Sequence, residues 1–376
     1  MYLIFAAHYN IRPCKAQYLY WYMEMLDKFP DAYFIINDDY LNPDSNRWEI
    51  LERKKSNPNF KIKFPDKFII VPCIEDFEDI KRKDLDNPAS ILRVCTKQHI
   101  FGLDHLINKI LDNNKIDAAF TYCNNRTLLN TCKEHGIPVV HNERGPLRYP
   151  FFHNTFYFDF SGVNGDTEFY SRFLKFEQIA DKVKIYSRDE LLQIVTRQCQ
   201  WQYMKYLIKS KPSYRCGVAL QVDVDTNMVA YNKGWTSADL INKAMRENGK
   251  TLIRNHPLSS MQYATNKSLG NGVIDRSENS LEFISKCEKI MTINSSVAFE
   301  AMLMGKEVEI LGDSPFAQIS KMNEREKLIA LNFAVFSYLV PANLWNDKDY
   351  CNFRITEKDE EVLYNKGQKL VMENRE

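Results

Sequence analysis

The sequence predicts an α/β chain of two βαβ-built halves facing each other across a central cleft, and three observations lead there. Short apolar runs alternate with segments of helical period; the alternation lapses once, in an aromatic stretch over 146–185; it then restarts with apolar runs that end in polar turns. Strands are expected at 2–6, 32–37, 67–72, 117–122 and 137–141, with helices near 15–29, 90–113 and 125–135. Gly136 before "IPVV" reads as a helix stop followed by a strand start. The Asn-, Pro-, Lys- and Asp-rich 42–66 reads as a surface excursion. Residues 146–185 and a helical 188–210 are expected to bridge the halves. Beyond them come a strand at 216–222, a helix near 237–248, a strand at 251–255 and a helix near 279–287. The last unit is "IMTINSSVAFEAMLMGKEVEILG": strand, polar turn, helix, glycine, strand. The boundaries expected are 1–150 for an N-terminal Rossmann-like domain, 151–210 for the bridge and 211–376 for a C-terminal Rossmann-like domain, with the final helices packing back on the first.

Bulk properties narrow the function classes. The 376 residues exceed one simple core, and 44% hydrophobic with 26% charged residues is the composition of a globular protein. Fifty basic residues against 49 acidic leave a net charge of +1, so nothing argues for a nucleic-acid partner. The nine cysteines are scattered with no C-x-x-C pair, which suits reduced thiols in a cytoplasmic protein rather than a disulfide framework or a zinc site. "MYLIFAAHYN" lacks a basic n-region and reads as a first strand, and no window approaches the ~20 apolar residues of a membrane span.

Four stretches follow apolar runs, where strands of an open α/β sheet end and ligands bind: "HNERGPLR", "QVDVDTN", "IRNHP" and "INSS". Glu143 can serve as a general acid or base, or pair with a neighbouring arginine. Asp223 and Asp225, read as ending a strand with both carboxylates on one face, can hold a metal, cap a turn or supply a nucleophile. His256, with Arg254 two residues earlier, can donate to a phosphate or be structural. Asn294, Ser295 and Ser296 are helix-start residues whose hydroxyls and N–H groups suit an anion. Glu300, one turn in, either faces ribose hydroxyls or lies on solvated helix surface.

In this order the four stretches resemble the bacterial retaining β-Kdo transferases of capsule and O-antigen polysaccharide biosynthesis. "NERGPLR" is similar to their E-D-G-F-L-R element, "LQVDVDTN" to Q-V-x-x-D, "IRNHP" to R-x-H-P, and "TINSSVAFEAMLMGKEVEILG" to N-S-S-x-x-x-E-A-L-x-x-G-K-x-V. The match covers roughly 140–315. The resemblance implies a GT-B fold, a CMP-Kdo donor, a bacterial glycan acceptor, lipopolysaccharide or capsule as the product's destination, and double displacement. It implies Asp225 as nucleophile, Glu143 as acid/base, and His256, Ser295, Ser296 and Glu300 at the donor, with Arg254 and Asn294 beside them. Arg144 and Pro146 depart from the family's usual residues, and Asp223 is a rival nucleophile. No cofactor or metal is expected. The expected place is the cytoplasm at the inner membrane face, reached through a lipid-linked acceptor, in a chain that can stand as one module of a larger synthase. The alternatives are a transferase for another CMP-ulosonate, such as a sialic acid, and a non-catalytic glycan- or nucleotide-binding module. Intact carboxylates at Glu143 and Asp225 count against the latter.

Overall fold

A computed structural model describes residues 1–6, 24–37, 58, 67–71, 88–197, 211–257 and 271–373. The excursion expected over 42–66, most of the helix expected over 15–29 and the second half of that over 188–210 lie outside the described residues.

The chain forms two compact units. One comprises Met1–Glu143, Asp159–Val163 and Asn343–Thr356; the other comprises Arg144–Phe158, Asn164–Ala342 and Glu357–Glu376. The aromatic stretch is thus divided between them: Asp159–Val163 belongs to the first unit, and its flanks belong to the second.

The first unit holds strands β1 (Tyr2–Ala6), β2 (Tyr33–Asn37), β3 (Phe68–Val71), β4 (Ala118–Thr121) and β5 (Val139–His141). All pair in parallel, in the order β3-β2-β1-β4-β5. Strands β1 and β4 are buried throughout, and so are Phe34–Ile36 of β2 and Val139–His141 of β5, as a sheet covered on both faces requires. Helices α1 (Pro88–Lys97), α2 (Leu103–Asn113) and α3 (Arg126–Glu134) are amphipathic, and Leu103, Ile107, Ile110, Leu111 and Leu128 pack on Leu3, Phe5, Ile35 and Ala119. The single helix expected over 90–113 is broken between α1 and α2 at Gly102, whose φ of 100° is foreign to a helix. α3 starts where the Asn125 side chain accepts from the Leu128 N–H (2.9 Å) and stops before Gly136, at φ 69°.

The second unit repeats the plan. Its chain runs through β6 (Thr155–Tyr157), α4 (Phe169–Glu177), α5 (Arg188–Val195), β7 (Tyr214–Ala219), α6 (Thr226–Tyr231), α7 (Ser237–Ala244), β8 (Thr251–Arg254) and β9 (Gly272–Ile274). It continues through α8 (Ser280–Ser285), β10 (Cys287–Thr292), α9 (Val297–Leu303), β11 (Glu307–Ile310), α10 (Glu324–Phe333) and β12 (Leu339–Pro341). The parallel sheet has the order β11-β10-β7-β8-β9, and β12 pairs separately and antiparallel with β6. Val218, Leu240, Ile253 and Met291 sit in its core. The final helix, Glu360–Glu373, is fastened by a buried pair: Arg172 of α4 donates to both carboxylate oxygens of Glu360 (2.6 and 2.9 Å).

In each sheet the first strand in sequence is central. The chain builds outward on one side and then crosses back to build on the other. The reversal falls between β1 and β4 in the first unit and between β7 and β10 in the second. At such a reversal the two following loops diverge and leave a crevice beyond the carboxyl ends of the strands.

Candidate active site

The second unit's reversal is where the sequence motifs gather. β7 runs into Gln221–Asp225, and β10 runs into Ile293–Ser296. Gln221, Thr292 and Asn294 are all buried and bond across the gap. The Asn294 N–H donates to Gln221 Oε1 (3.0 Å), and Gln221 Nε2 donates to Asn294 Oδ1 (2.8 Å). Asn294 Nδ2 donates onward to the carbonyls of Asn227 (2.9 Å) and Tyr231 (3.2 Å) in α6. Asn294 was expected among the helix-start residues facing the donor; its carboxamide is instead occupied in joining two loops.

β7 ends at Ala219, so Asp223 and Asp225 do not share a strand face; both lie in the turn before α6. Asp225 is the N-cap of α6, its Oδ1 accepting from the Thr226 N–H (2.9 Å), while its carbonyl accepts from the Met228 and Val229 N–H groups (2.9 and 2.8 Å). Asp223 Oδ1 accepts from the Ser237 hydroxyl (3.0 Å), at the start of α7. Both carboxylates are half-buried and anchored to different helices.

At the β10 turn, Ser295 accepts from the Val297 N–H (3.3 Å), whereas Ser296 is in helical conformation and makes no capping bond. Both remain half-buried. α9 is buried from Ala298 to Leu303, which answers the question about Glu300: it is not solvated surface but 8% exposed. Among the described residues, its buried Oε2 has no hydrogen-bond partner. Burial pushes its carboxyl up to about 7, against the lowering influence of the Ser280 hydroxyl and of the charges of Arg148 and Arg254. A buried carboxylate oxygen left unbonded in a crevice is costly unless something else supplies hydroxyl or N–H donors.

Arg254, the last residue of β8, is held by Asp275, whose carboxylate is 1% exposed, and by the Ser277 carbonyl (3.0 Å). His256 follows, half-buried, before Pro257. Asp225, His256, Ser295 and Ser296 therefore all lie beyond the carboxyl ends of the adjacent strands β8, β7 and β10, with Glu300 one turn further along the chain from Ser296.

Glu143 belongs to the first unit, half-buried just after β5. Its charge helps raise the half-buried Cys123 thiol, after desolvation of that thiol. Of the two arginines weighed as its partner, Arg148 sends Nε to the Gly145 carbonyl (2.8 Å) and Nη2 to that of Arg144 (3.3 Å), folding the "RGPLR" turn on itself. Gly145 is required there, because a Cβ would fall on the Thr155 side chain. The cysteines at 95, 132, 216, 287 and 351 are buried thiols. Among the described residues no helix is long and apolar enough to cross a membrane.

The stretches quoted from the sequence include Gln221, Thr292 and Arg148, but the bonds these make here were not foreseen, and Ser280 was missed altogether. Ser280 acts through a partner distant in sequence, Glu300, which no local pattern reports.

Residues 4–168 match the family model described as Glycosyltransferase 99 family N-terminal domain, and residues 209–320 match that described as Capsule polysaccharide biosynthesis protein. No curated protein sequence matches the chain. Among solved structures, the chain is similar to the Thermosulfurimonas dismutans KpsC β-Kdo 2,7 transferase at 12% identity and TM-score 0.40, over 94% of this chain and 98% of that one. It is similar to the KpsC β-Kdo 2,4 transferase of the same organism at 17% identity and TM-score 0.40, over 64% and 87%. A putative UDP-N-acetylglucosamine 2-epimerase from Listeria monocytogenes follows at 12% identity and TM-score 0.29, over 97% and 93%.

Proposed function

We propose that this chain is a glycosyltransferase of the capsule-polysaccharide type and GT-B class that transfers β-Kdo from CMP-Kdo to a bacterial surface-glycan acceptor with retention, a reading supported by the family-model matches over residues 4–168 and 209–320. The observation that carries the reading is the second unit's strand-reversal crevice, which has Asp225 on one loop, Ser295 and Ser296 on the other, and the underbonded Glu300 in the helix that the second loop leads into. The order of the four motifs supports the choice of donor.

In this reading the CMP phosphate lies against the serine turn and His256, and Glu300 accepts from ribose hydroxyls. No metal takes part in holding it. Asp225 attacks the anomeric carbon as the bond to the phosphate oxygen breaks, and the electron pair leaves with CMP. The acceptor hydroxyl then attacks the same carbon, the ester bond to Asp225 breaks, and Glu143 takes the hydroxyl proton. Two inversions give net retention. Oriented N–H and O–H donors stabilise the departing phosphate charge, the step for which electrostatic help is worth most. The acceptor, lipid-linked at the inner face of the membrane, completes the proposal.

Incubation with enzymatically generated CMP-Kdo and a panel of glycan acceptors tests it. CMP release together with an acceptor gaining one Kdo residue is the expected result. Release and transfer with CMP-sialic acid alone would replace the donor, and no turnover of either would reject the reading.

A further inference from the structure

The bonds between the two loops carry more than a description of packing. Gln221 and Asn294 exchange two hydrogen bonds, side chain to main chain and side chain to side chain. Thr292 Oγ1 reaches the Ala219 carbonyl (3.2 Å) and Gln221 Oε1 (3.4 Å), and accepts from the Ser295 N–H (3.2 Å). The network then leaves the β10 turn for α6 through Asn294 Nδ2. α6 is also tied at its far end: the Tyr231 carbonyl accepts from the Asp313 N–H (2.8 Å), and the Tyr231 hydroxyl donates to Asp166 (2.7 Å). Gln221, Thr292 and Asn294 are buried, so water does not substitute cheaply for any of these partners.

We propose that Gln221 and Asn294 are positioning residues that fix the Asp225 loop relative to the Ser295–Ser296 turn, so that the group attacking the sugar and the groups holding the leaving phosphate keep one geometry. The proposal rests on the glycosyltransferase reading above. The logic is spatial. Asp225 is the N-cap of a six-residue helix, too short to hold itself in place, and Asn294 grips the carbonyls of Asn227 and Tyr231 in that helix. Misplacing a reacting group by about 1 Å can cost on the order of 100-fold in rate while leaving ground-state contacts in place. The serine turn is held separately, by Thr292 and by the chain's own β10 register. Loosening the Asn294 grip therefore moves the nucleophile and spares the nucleotide.

Asn294→Leu keeps the volume and removes all three side-chain bonds. Gln221→Met removes the bonds between the two loops, to Asn294 Oδ1, the Asn294 N–H and Thr292 Oγ1, while leaving the Asn294 bonds to α6, and serves if the first variant does not fold. Two measurements decide. In the protein without nucleotide, hydrogen exchange of the amides in 225–231 should speed up by at least about tenfold, with those of 297–303 unchanged, since local protection follows local bonding. In turnover with the CMP-sugar that the wild type uses, kcat should fall by about 100-fold while the KM for the nucleotide sugar changes by less than about threefold. Asn294→Gln in the Gln221→Asn background should restore part of kcat. Unchanged exchange over 225–231, or a loss in KM equal to that in kcat, would overturn the proposal. If the wild type turns over no CMP-sugar, the functional reading has failed, and the exchange measurement still decides whether these two side chains hold the loop.

Discussion

Replacing Glu300 by glutamine should make the protein more stable as the pH rises, relative to the wild type. The ordinary glutamate value is 4.5, and burial lifts this one to about 7. Between those values the folded protein holds a proton that the unfolded chain has released. Glu300 therefore contributes most to stability below pH 4.5 and loses that contribution as the pH climbs to 7. At 1.36 kcal/mol per pH unit the whole loss is roughly 3 kcal/mol, of which about 2.5 kcal/mol falls between pH 5 and pH 8. Glutamine has the same shape and does not titrate. The stability gap, variant minus wild type, should thus widen by about 2.5 kcal/mol between pH 5 and pH 8 in urea melts that report on the second unit. A gap that stays constant across this range, or narrows, would mean that Glu300 is solvated or paired and that the crevice is not short of donors. CMP should narrow the gap at pH 8, because only the ionised carboxylate accepts from two ribose hydroxyls; the site gives up stability for binding.

CMP should bind equally well with and without a chelator in calorimetry, and Ser296→Ala and His256→Ala should each weaken it by about 1–3 kcal/mol if each donates to a charged phosphate; loss of binding in chelator would call for a metal. Glu143→Gln should leave CMP affinity nearly intact and remove most transfer, since it acts on the acceptor proton in the transition state, and weakened CMP binding with loss of fold would point to a structural role instead. Mixed with CMP-Kdo and no acceptor, the wild type and Asp223→Asn should gain the mass of one Kdo, mapped to "QVDVDTN", while Asp225→Asn should not; the reverse pattern would make Asp223 the nucleophile.

How far the sequence could be read depended on the distance over which each feature is determined. Apolar runs separated by glycines and caps are local, so β1, β4, β10, α3 and α9 fall where the pattern puts them. So does Gly305, at φ 73°, ending α9 before β11. α6 was missed although Asp225 before "TNMVAY" is a capping signal, because the apolar "VALQV" favoured a longer strand. The bonds that tie Gln221 to Asn294, seventy-three residues away, are beyond any local pattern. The pairing of β6 with β12 is equally distant and equally silent. The four site stretches were legible because each directly follows a strand or its last residue. The state of Glu300 was not, since its burial depends on α9 being covered all round.

The interleaved path of the chain has a consequence for how the protein is made. The first unit is not finished when its five strands are: it includes Asn343–Thr356, where Asn352 accepts from the Tyr2 hydroxyl. Trp345 and Cys351 of that segment are buried almost completely. During synthesis the ribosome delivers this piece only after the whole second sheet has emerged. The amino-terminal sheet must therefore wait with an uncovered patch, whereas all the strands of the later sheet appear within one continuous stretch. Translation paused just before residue 343 would leave nascent chains with all the strands of both five-stranded sheets made, but without the Asn343–Thr356 segment of the first unit and the Glu360–Glu373 helix of the second.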